Sequence, residues 1–146
     1  MAEFTEKVHE KCQAFGDRIV KLNDYLLVQA SKNEEERCKK EELRTKKKCP
    51  RIPIFLLSIS NICNQLLRAG TSIGANNAEA INAISKNDYR SKSHIALKEA
   101  RESLYWIELL HRNKYLDDKE YASIFSDAEE LVKILVARCK KLDAEV

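Results

Sequence analysis

The sequence predicts an all-α fold, an antiparallel up-down-up-down four-helix bundle, and three observations predict it. Apolar residues make up 44% and charged residues 34% of the 146-residue chain, with only three Gly and two Pro, a balance suited to long solvated helices rather than to a turn-rich sheet. Small and apolar residues recur at alternating steps of four and three through several long stretches, the pattern of helices with one buried face. Ser85 and Asp117 each stand three residues before an acidic residue at the head of such a stretch, as helix N-caps do. A chain of this length buries about 70% of the surface it exposes when unfolded, so one core and a single domain, residues 1–146, are expected.

The first helix is expected over about residues 5–30, where Val8, Cys12, Phe15, Ile19, Leu22 and Leu26 share one face and Gly16 suggests a close crossing. After Ala30 the seam stops. Positions 31–51 hold nine Lys/Arg against five Glu, a net of +4 in a chain whose total is +3, so the basic excess is entirely local. Glu35 with Lys39 and Glu36 with Lys40 are well-oriented i,i+4 pairs, which would let part of the segment 31–52, a basic linker or arm, extend the first helix. Pro50 and Pro53 then end it, and Pro53 suits the first turn of the next helix.

The second helix, expected over about residues 53–84, has the seam Phe55, Ile59, Ile62, Leu66, Ala69, Ile73, Asn76, Ala80 and Ala83. Gly70 and Gly74 inside it each cost about 0.8–1 kcal/mol against Ala, which close approach of a neighbouring helix would offset. Asn76, the one polar seam residue, is expected to be buried and hydrogen-bonded. Ser85 caps the third helix, about 86–112, with Ile84 and Tyr89 placed for a hydrophobic staple, and Tyr89, Ala96, Ala100, Ser103, Ile107 and Leu110 on its inner face. If the two helices turn back on each other at Ser85, facing residues have numbers that sum to about 170, which sets Arg68 beside Glu99 or Glu102. The fourth helix, about 118–142, opens with the capping box Asp117/Glu120 and a Leu116–Tyr121 staple. Tyr121, Ile124, Ala128, Leu131, Leu135 and Leu142 form its seam, and Arg138, Lys140 and Lys141 suit its C-terminus.

Chemistry finds little purchase. The Gly70/Gly74 spacing is GxxxG inside a helix, with no preceding strand and no Gly-Lys-Ser/Thr, so it is no phosphate loop. His9, His94 and His111 read as surface or rim residues, and Glu99 and Glu102 as ion-pairing residues between Lys98 and Arg101. No enzymatic site, cofactor or metal is expected. Five cysteines without metal-site spacing argue against structural disulfides: Cys12, Cys63 and Cys139 read as small core residues, Cys38 and Cys49 as exposed reduced thiols. Tyr105, Trp106 and Tyr115 have the chemistry to stack bases, but packing in the bundle or a subunit contact accounts for them better. Residues 1–10 lack a secretory signal and no 18-residue apolar run occurs, so a cytoplasmic protein without membrane contact is expected. The candidate nucleic-acid contacts are Lys39, Lys40, Arg44, Lys46, Lys47, Lys48 and Arg51, and the structural polar residues are Arg68, Asn76, Glu79, Glu99 and Glu102.

The runs from Gln65 to Ala80 and from Ser85 to Leu110 closely resemble those of the 23S rRNA intervening-sequence proteins, marked by QLLRxGTSIGANxxEA-like and IALKEAxExxYWxxLL-like sequences, and residues 11–22 resemble the family's first helix more weakly. The resemblance covers most of the chain. Ala78, where many relatives carry a basic residue, and the segment 31–52, an insertion of about twenty residues, depart from it. The resemblance implies a non-enzymatic helical bundle associated with RNA; the related accessory protein of diversity-generating retroelements implies a homo-oligomer, a pentamer, that binds nucleic acid. The competing expectation, favoured by the modest net charge, is a protein–protein adaptor or structural oligomer with no nucleic-acid role.

Overall fold

A computed structural model describes residues 2–46 and 54–144, with side chains over 5–46 and 57–144. Four helices account for nearly all of these residues: α1 (Ala2–Thr45), α2 (Ile54–Ile81), α3 (Lys86–Arg112) and α4 (Asp118–Ala144). α1 packs on α2, α2 on α3 and α3 on α4, while α4 and α1 approach more openly. The pairs across each seam give the directions. His9 meets Asn77 while Ile19 meets Gly70, Lys11 meets Glu130 while Arg18 meets Asp127, and Arg90 meets Asp143 while His111 meets Asp118. In each case one number rises as the other falls, so α1 runs antiparallel to α2 and to α4, and α3 antiparallel to α4. Lys92 pairs with Glu79, in line with the register expected about the Ser85 turn.

Burial follows the seams closely. Val8, Cys12, Phe15, Ile19, Leu26 and Ala30 of α1 meet Ile59, Cys63, Leu66, Ala69 and Ile73 of α2, Ala96, Ala100, Ile107 and Leu110 of α3, and Ile124, Ala128, Leu131 and Leu135 of α4. Small residues on α3 let α2 come close. Cys12, Cys63 and Cys139 are buried free thiols, and burial pushes the first two up to about 11, so they are neutral core residues.

The helix ends obey local chemistry. Ser85 Oγ accepts from the Asp88 backbone N–H at 3.1 Å. Asp117 and Glu120 satisfy each other's backbone N–H at 2.7 and 3.0 Å, a complete capping box. The expected Ile84 staple does not form: Ile84 is 95% exposed, because the Asp88 carboxylate takes the Ile84 N–H and turns the side chain outward. α3 ends through Lys114 at φ 65°, whose N–H bonds the His111 carbonyl.

Glycine divides three ways. A Cβ on Gly70 would lie 2.8 Å from Ile19 Cγ1, and one on Gly74 would lie 3.6 Å from the Cys12 carbonyl oxygen. Gly16 marks no close crossing, since nothing lies within 4 Å of its Cβ position. The packing that offsets a helical glycine is therefore centred on Gly70.

Candidate nucleic-acid interface

α1 is much longer than its partners, and its last turns form the arm. Tyr25 hydrogen-bonds Glu120 in the first turn of α4, so beyond that level α1 has no α4 beside it. Residues 31–45 add about 22 Å of helix at 1.5 Å per residue. Glu34 is the last buried position on this helix, holding Arg37 Nε at 3.0 Å and Nη2 at 2.5 Å. From Glu35 to Lys46 every residue but Cys38 is exposed, Leu43 at 84%.

The arm differs from expectation in its ion pairs. Glu35–Lys39 and Glu36–Lys40 are not paired; the short pairs are instead Arg37–Glu34 and Arg44–Glu41, both i,i+3. Arginine's longer fork reaches back one turn to a carboxylate, whereas the lysine ammoniums stay hydrated at the surface. Lys39, Lys40 and Lys46 are consequently exposed and make no ion pair among the described residues. Lys32 and Lys39 stand seven residues apart and so share one side of the arm, about 10 Å apart, with Glu36 between them, and Lys46 follows just past the end of the helix at φ 55°. Lys47, Lys48 and Arg51 lie outside the described residues, as does Cys49. Cys38 is not an exposed reduced thiol: it is half-buried, one turn beyond Glu34, and disulfide-bonded.

The expected structural polar residues are only partly brought together. Arg68 is exposed and makes no contact with Glu99 or Glu102: Glu102 accepts the Trp106 indole N–H at 3.1 Å, and Arg68 projects outward from α2. Nor do Glu99 and Glu102 pair with Lys98 and Arg101. Glu79 does carry an inter-helical pair, with Lys92, whose ammonium it holds above the usual lysine range through a direct hydrogen bond. Asn76 is half-buried and donates to its own helix at the Ser72 carbonyl, 2.9 Å away. The buried seam asparagine is its neighbour. Asn77 is 0% exposed, accepts from Arg138 Nη1 at 2.7 Å through Oδ1, and lies 3.3 Å from His9 Nδ1 through Nδ2.

Arg138 is the residue that sequence reasoning missed. It is 8% exposed, reaching inward from α4 with its guanidinium 5.9 Å from the Tyr89 ring, rather than serving as a C-terminal surface charge. The signal was available: Leu131, Leu135, Arg138 and Leu142 step 4-3-4, and the seam outweighs the helix-end charge rule.

The aromatic residues behave as core and rim. Trp106 is half-buried against the core, with Tyr105 edge-on at 4.9 Å and more exposed. His111 stacks on Tyr121 at 4.1 Å and bonds Asp118, holding that carboxyl below its usual range. Arg90 and His94 do the same for Asp143. Two open grooves mark the surface. One, of about 400 Å³, is lined by Arg18, Leu22, Lys119, Glu120, Ser123 and Ile124; the other, of about 640 Å³, by Asn87, Arg90, Ser91 and His94. Among the described residues no His/Cys/Asp/Glu group has metal-holding geometry, and no helix is long and apolar enough to cross a membrane.

The family described as 23S rRNA-intervening sequence protein matches residues 56–137, most of α2 through α4. The chain belongs to this family. A crystal structure of a protein of unknown function from the S23 ribosomal protein family of Bacteroides thetaiotaomicron is 35% identical, with a TM-score of 0.69 over 93% of this chain and 97% of that one. No curated protein matches the chain. The match spans most of α2 to α4, with Asn77, the Ser85 cap and the Asp117/Glu120 capping box, and stops one residue short of Arg138, whereas α1 and its arm lie outside it.

Proposed function

We propose that this chain is a non-enzymatic, cytoplasmic, homo-oligomeric bundle that binds nucleic acid, with RNA as its natural partner, through the arm of α1. The observation that carries the reading is the set Lys32 and Lys39 on the arm, which stands clear of α4, and Lys46 just past its end, all exposed and making no ion pair among the described residues. Such lysines neutralise phosphates and release counterions without distorting the bundle. The family's description as proteins of 23S rRNA intervening sequences supports RNA over DNA.

Self-association is supported by apolar side chains that one bundle leaves at its surface. Leu67, Leu97, Leu104 and Val132 are partly buried against the core, and Leu109 is half-buried, so these leucines and valine need no partner. Leu57, Val20, Val28, Ile81, Ile95 and Tyr105 remain exposed and are the apolar side chains that a homo-oligomer, a pentamer on the family resemblance, would cover. One observation favours the adaptor reading instead: over residues 31–46 six Lys/Arg face five Glu, so this part of the arm is only weakly basic.

Purification at low salt, followed by sequencing of retained nucleic acid and by sedimentation, tests both parts. Bound RNA and a species several times the 16.8 kDa chain mass are expected. Protein free of nucleic acid that sediments as a monomer at micromolar concentration would overturn the reading.

A further inference from the structure

One layer of the bundle holds more hydrogen-bond donors than acceptors. Arg138 is buried and permanently charged, yet no carboxylate pairs with it among the described residues, and its Nη2 is inaccessible and without a hydrogen-bond partner. Ser93 is 0% exposed and its Oγ also lacks a partner, unlike Ser103 Oγ, which donates to the Glu99 carbonyl at 2.9 Å. The registers Glu79–Lys92 and Arg90–Asp143 set Ser93 at the level of both Asn77 and Arg138. Asn77 already spends its oxygen on Arg138 Nη1 and its amide on His9.

A buried cation without a counter-charge costs several kcal/mol, so something should neutralise it. The Cys12 and Cys139 thiols both feel its charge, but burial raises both, Cys12 to about 11, so neither supplies a negative charge at pH 7. Tyr89 offers only its ring face. Neither of the two surface grooves is lined by Arg138 or Ser93, so this layer is separate from both.

We propose that this layer binds a small monovalent anion, chloride, between Arg138 Nη2 and the Ser93 hydroxyl. The ion accepts both orphaned donors and supplies the missing negative charge. It ties α3 to α4 at the level where Asn77 ties α4 to α2 and α1. The site is independent of the arm and of any nucleic acid.

Thermal melting of the full chain is measured in sodium chloride and in sodium gluconate, whose anion is too large to enter, at equal ionic strength. The expected result is higher stability in chloride, saturable with concentration. Ser93→Ala, which keeps the fold and removes one donor, is expected to raise the half-saturating chloride concentration by about tenfold, the factor for one hydrogen bond to a charged group. Crystals grown with sodium bromide should show an anomalous peak between α3 and α4 at Arg138. Equal melting of the wild-type chain in chloride and gluconate would overturn the proposal, as would a chloride effect unchanged by Ser93→Ala or an absent bromide peak.

Discussion

Alanine at Gly70 would place its Cβ 2.8 Å from Cγ1 and 3.0 Å from Cγ2 of Ile19, distances that real Cβ atoms do not tolerate. Ile19 is fully buried and β-branched, so it has one comfortable rotamer and nowhere to swing. Overpacking of this kind costs about 1–3 kcal/mol, against a helix-propensity gain of about 0.8–1 kcal/mol. At Gly74 the same gain applies, but the nearest atom is the Cys12 carbonyl oxygen at 3.6 Å, an ordinary contact. Gly70→Ala should therefore be less stable than Gly74→Ala by about 1–3 kcal/mol, with Gly74→Ala above wild type. Urea unfolding with an unchanged m-value reads this directly. Ile19→Ala should cost less in the Gly70→Ala background than alone, because it removes the clashing methyls. A Gly70→Ala chain as stable as Gly74→Ala would refute the packing argument.

Asn77→Leu should cost about 3–5 kcal/mol by stripping the acceptor from buried Arg138, while Asn76→Leu should stay within about 0.5 kcal/mol; comparable losses in urea unfolding would contradict the assignment. Lys114→Gly should stabilise by about 0.5–1 kcal/mol, since φ 65° strains a residue with a Cβ, and a lower melting temperature would count against it. Asp143 and Asp118 titrate below their ordinary value of 3.8 in the folded chain, so their contribution is present above that value and is lost as pH falls through the lower folded pKa. The double Asn variant should show a shallower loss of stability below about pH 4 than the wild type; parallel acid curves would show that these pairs are immaterial.

How much of this was legible in the sequence varies with how wide a stripe of each helix is buried. The faces of α1, α3 and α4 each meet a narrow stretch of core, and their seams from Val8, from Ala96 and from Ile124 match the buried residues. The buried stripe of α2 is wider than one seam: Ala69 and Gly70 are both buried, and periodicity alone does not choose between Asn76 and Asn77. Arg138 hid behind its charge, because a basic residue near a helix end is usually solvated. Arg68 failed for a different reason. The α2–α3 register is close to the expected one, but the Trp106 indole takes the Glu102 carboxylate. The arm was visible as a charge run, yet only the structure distinguishes paired Arg37 and Arg44 from unpaired Lys39 and Lys46.

The central claim is that Lys32, Lys39 and Lys46, along the arm of α1 and at its end, hold nucleic-acid phosphates, and the salt dependence of binding tests it most directly. Affinity of the wild-type chain and of the Lys32→Gln/Lys39→Gln/Lys46→Gln variant for 23S rRNA fragments is measured from low to physiological salt. All three positions are exposed, so thermal stability should be unchanged in the variant. If each lysine meets a phosphate, the slope of log affinity against log salt should become shallower by about 2 units, at about 0.7 per single-strand contact. Equal slopes for the two proteins would show that these lysines are only solvated and that the arm does not carry the binding.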